Sequence, residues 1–171
     1  MEINPKTSDR SINEFILSGY DALVNSPYQV IWQTGGYYFE EMKRRLPEES
    51  SNIVIKDFLK EMNFAYAVAD VVISRAGALS IAELMLTGKP SILVPSPNVA
   101  EDHQTINANA LVERNAAILV KDSDGMTDLI PTTFKLLEDE AQKATLSENI
   151  KAMSHPSADK DIANEILKLI A

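Results

Sequence analysis

The stretch from Ala69 to Asn109 holds the densest run of residues able to do chemistry: ADVVISRAGALSIAELMLTGKPSILVPSPNVAEDHQTINAN. Gly77 and Ala78 sit where a Val/Ile-rich run ends and a helical pattern begins. A small residue there serves a tight turn. Equally, the N–H groups of Ala78, Leu79 and Ser80, backed by the helix dipole, suit a phosphate. Ser80 fits either as a cap or as part of that anion site. Glu83 follows three residues later. A carboxylate near a helix start stabilises the helix by itself. One turn above a phosphate it is also placed to accept both hydroxyls of a ribose, as acidic residues do in dinucleotide folds. A second turn leads into Asp102-His103-Gln104-Thr105. The Gln104 amide both donates and accepts, which suits the neutral 3- and 4-hydroxyls of a hexose. Asp102 fits an N-cap. His103, one of only two histidines, fits a surface or capping residue better than a catalytic base. Thr105 and Asn107 are weaker candidates for sugar or phosphate contact.

These turns need a scaffold that presents them together. Apolar runs of strand length occur at Tyr28–Gln33, Asn52–Lys56, Asp70–Ser74, Pro90–Val94 and Ala116–Val120. Their Val/Ile content predicts strands buried on both faces. Helical patterns lie between them at Ser11–Val24, Tyr37–Leu46, Met62–Ala69, Leu79–Thr87 and Asp102–Arg114. Thr87-Gly88-Lys89-Pro90 is a helix stop. The alternation predicts βαβ units and a parallel, Rossmann-like sheet flanked by helices. Ligands bind such sheets at the carboxyl ends of the strands, and both turns open there. Beyond Asp124 the pattern is wholly helical, Met126–Glu140 and then Ala141–Ala171, with Ser-His-Pro-Ser (154–157) as the break.

Composition bounds the function. The 171 residues carry 16 basic and 25 acidic side chains, a net charge of −9, which argues against nucleic acid as a partner. One nucleotide held by backbone N–H groups needs no positive surface. There is no cysteine, so disulfides and thiolate metal sites are excluded. The acidic residues are too scattered to suggest a metal pair, and no metal is expected. No apolar run approaches the ~20 residues that span a bilayer. The reading is a soluble intracellular domain. A doubly wound domain normally opens with a central strand and a Gly-rich turn. This chain starts with a polar segment and goes straight into a helix, so it reads as a fragment cut inside the domain rather than one with a strand improvised from Met1–Lys6.

Several pieces in order resemble the C-terminal half of the MurG-type glycosyltransferases: Arg10-Ser11-Ile12-Asn13, Trp32-Gln33-Thr34-Gly35, Phe58-Leu59 with Met62, and Ala69-Asp70-Val71-Val72. The series continues with Arg75-Ala76-Gly77-Ala78-Leu79-Ser80-Ile81-Ala82-Glu83 and with Asp102-His103-Gln104-Thr105 before Asn107-Ala108. The resemblance implies the C-terminal domain of the two-domain GT-B fold. It also implies an inverting hexosyltransferase that moves N-acetylglucosamine from UDP-GlcNAc to a lipid-linked muramyl-pentapeptide in peptidoglycan synthesis. The donor is a nucleotide sugar and no cofactor is implied. The resemblance has Phe58 pack on uracil while the Leu59 backbone pairs with the base edge, and it gives Glu83 the ribose. It nominates Met62, Gly77, Ala78, Leu79, Ser80, Gln104 and Thr105 as donor contacts, and less strongly Arg10, Arg75, Asp102, His103 and Asn107. Catalytic residues are expected in none of these: acceptor site and base belong to an N-terminal domain missing here, and the whole enzyme sits at the cytoplasmic face of the plasma membrane.

The departure from the family lies at the start. A Gly-Gly-Ser-Leu-Gly-Ala loop precedes the family arginine that matches Arg10, and Asn4-Pro5-Lys6-Thr7-Ser8-Asp9 stands in its place. Residues 1-10 therefore read as an atypical segment, 11-125 as the UDP-sugar-binding domain and 126-171 as C-terminal helices. Two rivals stay open: a stand-alone half that works with a membrane-bound partner subunit, and a degenerate nucleotide-binding or interaction domain without activity.

Overall fold

The computed structural model describes residues 10–46, 50–97 and 102–170. The strand considered at Met1–Lys6, and the loop substitute at residues 4–9, lie outside them. The polypeptide alternates as expected. Helix α1 (Arg10–Ser18) breaks at Gly19 into a short α2 (Tyr20–Val24), where the sequence suggested one continuous helix. Strand β1 (Val30–Gln33), α3 (Phe39–Arg45), β2 (Ile53–Lys56), α4 (Met62–Val68) and β3 (Val72–Ser74) follow. Then come α5 (Ala78–Thr87), β4 (Ser91–Leu93), α6 (His103–Val112) and β5 (Ile118–Leu119). The chain closes with α7 (Gly125–Glu138), α8 (Glu140–Ala152) and α9 (Ala158–Ile170). Each strand is shorter than its apolar run, although flanking residues still bond to the neighbouring strand, as the Val94 N–H does to the Ser74 carbonyl at 2.9 Å.

Every strand pairing is parallel. Among the described residues β1 pairs with β2, and β3, β4 and β5 pair in that order as a second ladder. Strand β4 shows why the run SILV is apolar throughout. Successive side chains leave opposite faces of a strand. Ile92 and Val94 enter a core with residues of α1, α2, β1 and α7, while Leu93 enters a second core with residues of α5, α6 and α8. Helices thus cover both faces, and α7 and α8 belong to the same cores as the sheet. The expectation of two-sided burial fails for β1 and β2, where Ile31 and Val54 are 47% and 48% exposed. Only one face of that ladder meets the core among the described residues.

Helix ends follow local chemistry. Gly88 ends α5 in the left-handed region, φ 64°, and its N–H donates to the Leu84 carbonyl at 2.9 Å. Glycine adopts that conformation without the steric cost a Cβ brings. Asp139 caps α8 by accepting the Gln142 N–H at 2.8 Å. No helix among the described residues is long and apolar enough to cross a membrane.

Candidate functional site

The sequence-nominated residues follow the carboxyl ends of the strands, Phe58 and Leu59 after β2, Gly77 after β3 and Gln104 after β4. After β3 the chain turns through Arg75, Ala76 and Gly77 into α5. The first helical bond runs from the Ile81 N–H to the Gly77 carbonyl, 2.9 Å. The N–H groups of Ala78, Leu79 and Ser80 therefore have no partner within the helix. Ser80 does not cap the helix, and no side chain does. Leu79 is 83% exposed at this tip, so the row of donors faces outward. Gly77 holds φ −70° and ψ 148°, backbone that any residue adopts, and a Cβ there would meet only Ser80 Oγ at 3.9 Å. The turn does not need a glycine for its own geometry. Gly77 holds the N-cap position of α5, where glycine is among the favoured residues, and the space in front of its backbone is open.

Glu83 lies further along α5 and is exposed. Its Oε2 accepts the Tyr66 hydroxyl at 2.9 Å, and Oε1 takes no hydrogen bond among the described residues. Tyr66 comes from α4, whose first residue is Met62. Burial first, and then the hydrogen bond and charge of Glu83, push the Tyr66 phenol well above its ordinary range, so it stays a donor.

The base-side residues lie after β2. Phe58 is 64% exposed, an aromatic face open to solvent rather than a core residue. Its N–H donates to Asp57 Oδ1 at 2.7 Å. The Leu59 N–H donates to Gln33 Oε1 at 2.7 Å, so a side chain at the end of β1 occupies a donor that base pairing would use.

Other nominated residues make bonds inside the protein. Gln104 Oε1 accepts the Ser96 N–H at 2.8 Å, which leaves its amide donors for a ligand. Asp102 occupies the N-cap position of α6 at φ 53° without capping by its side chain; its Oδ1 accepts Thr105 Oγ1–H at 2.6 Å. Asn107 Nδ2 donates to the Ala76 carbonyl at 3.1 Å and braces the Gly77 turn. His103 is exposed at the start of α6. Arg10 begins α1 and is exposed. Arg75 points inward. Its Nη1 donates to Asp122 Oδ1 at 2.7 Å and to the Val94 carbonyl at 2.9 Å, and its Nη2 to Ser11 Oγ.

Sequence reasoning passed over Gln33, Tyr66, Ser11, Asn13 and Asp122. Tyr66 had a signal, since it stands four residues after Met62 and shares its helix face. Asn13 stood in the quoted motif Arg10-Ser11-Ile12-Asn13 without a role: it donates to the Thr34 carbonyl and accepts the Trp32 indole N–H, both at 2.9 Å, from a helix distant in sequence.

Comparison with known proteins agrees with this architecture. Residues 7–165 match the model of the glycosyltransferase family 28 C-terminal domain. The chain is 47% identical over 162 residues to the UDP-N-acetylglucosamine--N-acetylmuramyl-(pentapeptide) pyrophosphoryl-undecaprenol N-acetylglucosamine transferase of Parabacteroides distasonis. It is 47% identical over 161 residues to the protein of the same name from Cytophaga hutchinsonii. Those alignments cover 94% of this chain but 44% and 43% of the relatives, so it spans less than half their length. Among solved structures, MurG of Acinetobacter baumannii superposes with a TM-score of 0.81 at 25% identity, over 97% of this chain and 48% of that one. The calicheamicin glycosyltransferase CalG4 shares the fold, with a TM-score of 0.70 at 17% identity over 93% of this chain and 40% of that one.

Proposed function

This chain belongs to glycosyltransferase family 28 as its C-terminal domain, and from that premise we propose that it binds UDP-N-acetylglucosamine for a transferase whose other half holds the acceptor and the base. In the whole enzyme the 4-hydroxyl of the lipid-linked muramyl-pentapeptide attacks the anomeric carbon of the donor. The bond to the pyrophosphate oxygen breaks, the configuration inverts, and UDP leaves. The acceptor is lipid-linked, so the reaction takes place at the cytoplasmic face of the plasma membrane, with the protein peripheral to it. This domain's share is orientation and charge. The free N–H groups of Ala78, Leu79 and Ser80 and the dipole of α5 face the negative charge that grows on the pyrophosphate as the sugar departs. Glu83 takes the ribose hydroxyls, Phe58 and Met62 flank the uracil, and Gln104 donates to the sugar.

The observation that carries this reading is Gly77. Neither its backbone nor its surroundings require glycine, yet it fronts three unpaired donors at a helix start. The open space in front of it admits a ligand in close contact with the backbone. The test is Glu83→Gln with UDP and 2′,3′-dideoxy-UDP, followed by titration. UDP affinity should fall by about 10- to 150-fold, the worth of a charge-assisted acceptor of ~1.5–3 kcal/mol. The dideoxy ligand should not distinguish variant from wild type. Equal UDP affinity in both proteins would remove the assignment of Glu83, and with it this placement of the donor.

A further inference from the structure

The contact between Tyr66 and Glu83 joins two helices that the donor would touch at different points. We propose that Tyr66 is a positioning residue of the ribose site: its hydroxyl holds the Glu83 carboxylate ready to accept the ribose diol. This rests on the assignment of Glu83 to the ribose.

Three observations carry it. First, the bond is direct, 2.9 Å from the Tyr66 hydroxyl to Glu83 Oε2. Second, the two partners contrast in order. Tyr66 is 9% exposed and shares the second core with Ile81 and Leu84 of α5, whereas Glu83 lies on the exposed side of that helix. An exposed glutamate is rotamer-rich, and fixing it on binding costs conformational entropy. A rigid phenol that fixes it beforehand removes part of that cost from the binding step. Third, the lone pairs are sufficient. An ionised carboxylate accepts about four hydrogen bonds. Tyr66 takes one on Oε2, and Oε1 is open among the described residues, so both ribose hydroxyls can be accommodated.

The geometry also links two parts of the site. Met62, nominated as a donor contact, opens α4, and Tyr66 stands one turn further along the same helix. A displacement of α4 is therefore transmitted to the carboxylate that meets the ribose. A purely structural role for the hydroxyl, satisfying its own hydrogen-bonding need at the rim of the core, predicts a different pattern of losses.

The experiment compares wild type, Tyr66→Phe, Glu83→Gln and the double variant of the 171-residue chain by NMR titration. The ligands are UDP and 2′,3′-dideoxy-UDP. Phenylalanine keeps the ring that fills the core. Tyr66→Phe should weaken UDP by about 3- to 10-fold and leave the dideoxy ligand within about 2-fold, since preorganisation benefits only a ligand with hydroxyls. In the Glu83→Gln background the same change should have no further effect on UDP. Equal weakening of both ligands, or an unchanged UDP affinity, overturns the positioning role. If Glu83→Gln weakens UDP and Tyr66→Phe does not, the ribose assignment stands and Tyr66 alone falls. If neither variant affects UDP, or no UDP binds, both fall.

Discussion

Removing the Arg75 guanidinium should cost the domain a large share of its stability. The side chain is 10% exposed and that of its partner Asp122 is 19% exposed. One nitrogen serves both the Asp122 carboxylate and the Val94 carbonyl, another reaches Ser11, and Ser11 Oγ–H itself donates to Asp122 at 2.6 Å. The start of α1, the end of β4 and the turn after β5 meet at this one group. Arg75→Ala leaves a largely buried carboxylate without its cation and the buried Val94 carbonyl without its side-chain donor. Breaking such a pair costs about 3–5 kcal/mol. The residual exposure of Asp122 lets water in, so the expected loss is near the lower end, ~3 kcal/mol, against a typical total of ~5–15 kcal/mol. With a urea slope of ~2 kcal/mol/M, the unfolding midpoint should fall by about 1.5 M. The paired replacement, Arg75→Met with Asp122→Leu, should recover at least half of the loss, because no charge is then stranded. Recovery is favoured further by Arg75 Nε, which is buried without a hydrogen-bond partner in the native protein. A midpoint shift for Arg75→Ala of less than ~0.5 M would refute the reasoning. So would a double variant whose cost equals the sum of the two single ones.

Two further outcomes follow from packing and charge. A Cβ on Gly125 would lie 2.2 Å from Phe15 Cε2 and 2.4 Å from Cδ2, with the ring buried in the core, so Gly125→Ala should destabilise by ~1–3 kcal/mol; thermal unfolding at the wild-type temperature would contradict this. Arg45 grips Glu14 through two bonds, 2.6 and 2.7 Å, and its hydrogen bond holds the Glu14 carboxyl below the usual glutamate range. A depressed carboxyl contributes stability above its unfolded pKa and loses it as the pH falls through its folded one. Glu14→Gln should therefore be less stable than wild type at neutral pH, by at most ~1 kcal/mol for so exposed a pair. The difference should shrink below pH ~4.3 and vanish in stronger acid; a gap that persists unchanged at pH ~2 would refute the link.

The order of elements was legible because each strand is a short apolar run between helical patterns, and Gly88 marks the end of α5. Strand ends were less so, since Pro90 and Val94 are as apolar as the residues they flank and their backbones still bond to Val72 and Ser74. One-sided exposure of Ile31 and Val54 was hidden for the same reason: composition does not say how many neighbours a sheet face has. For the candidate site, Gly77, Glu83 and Gln104 could be nominated by type and spacing. Their supports could not. Gln104 leans on Ser96 eight residues away, but Arg75 on Ser11 and Ser11 on Asp122 span 64 and 111 residues. Such partners exist only once the chain has closed on itself.

The two ladders have a consequence for how the domain is held together. Among the described residues no backbone bond joins β1 to β3, and side chains of α1 reach both: Asn13 grips Trp32 and Thr34 at the end of β1, and Ser11 grips Arg75 after β3. The two ladders are joined by these side-chain bonds and by the core that Trp32, Ile53, Ile92 and Val94 share. Phe58 follows the first ladder, while Gly77 and α5 follow a strand of the second. A nucleotide bound as proposed would reach from one to the other and tie the two ladders together through a ligand instead of through a backbone bond.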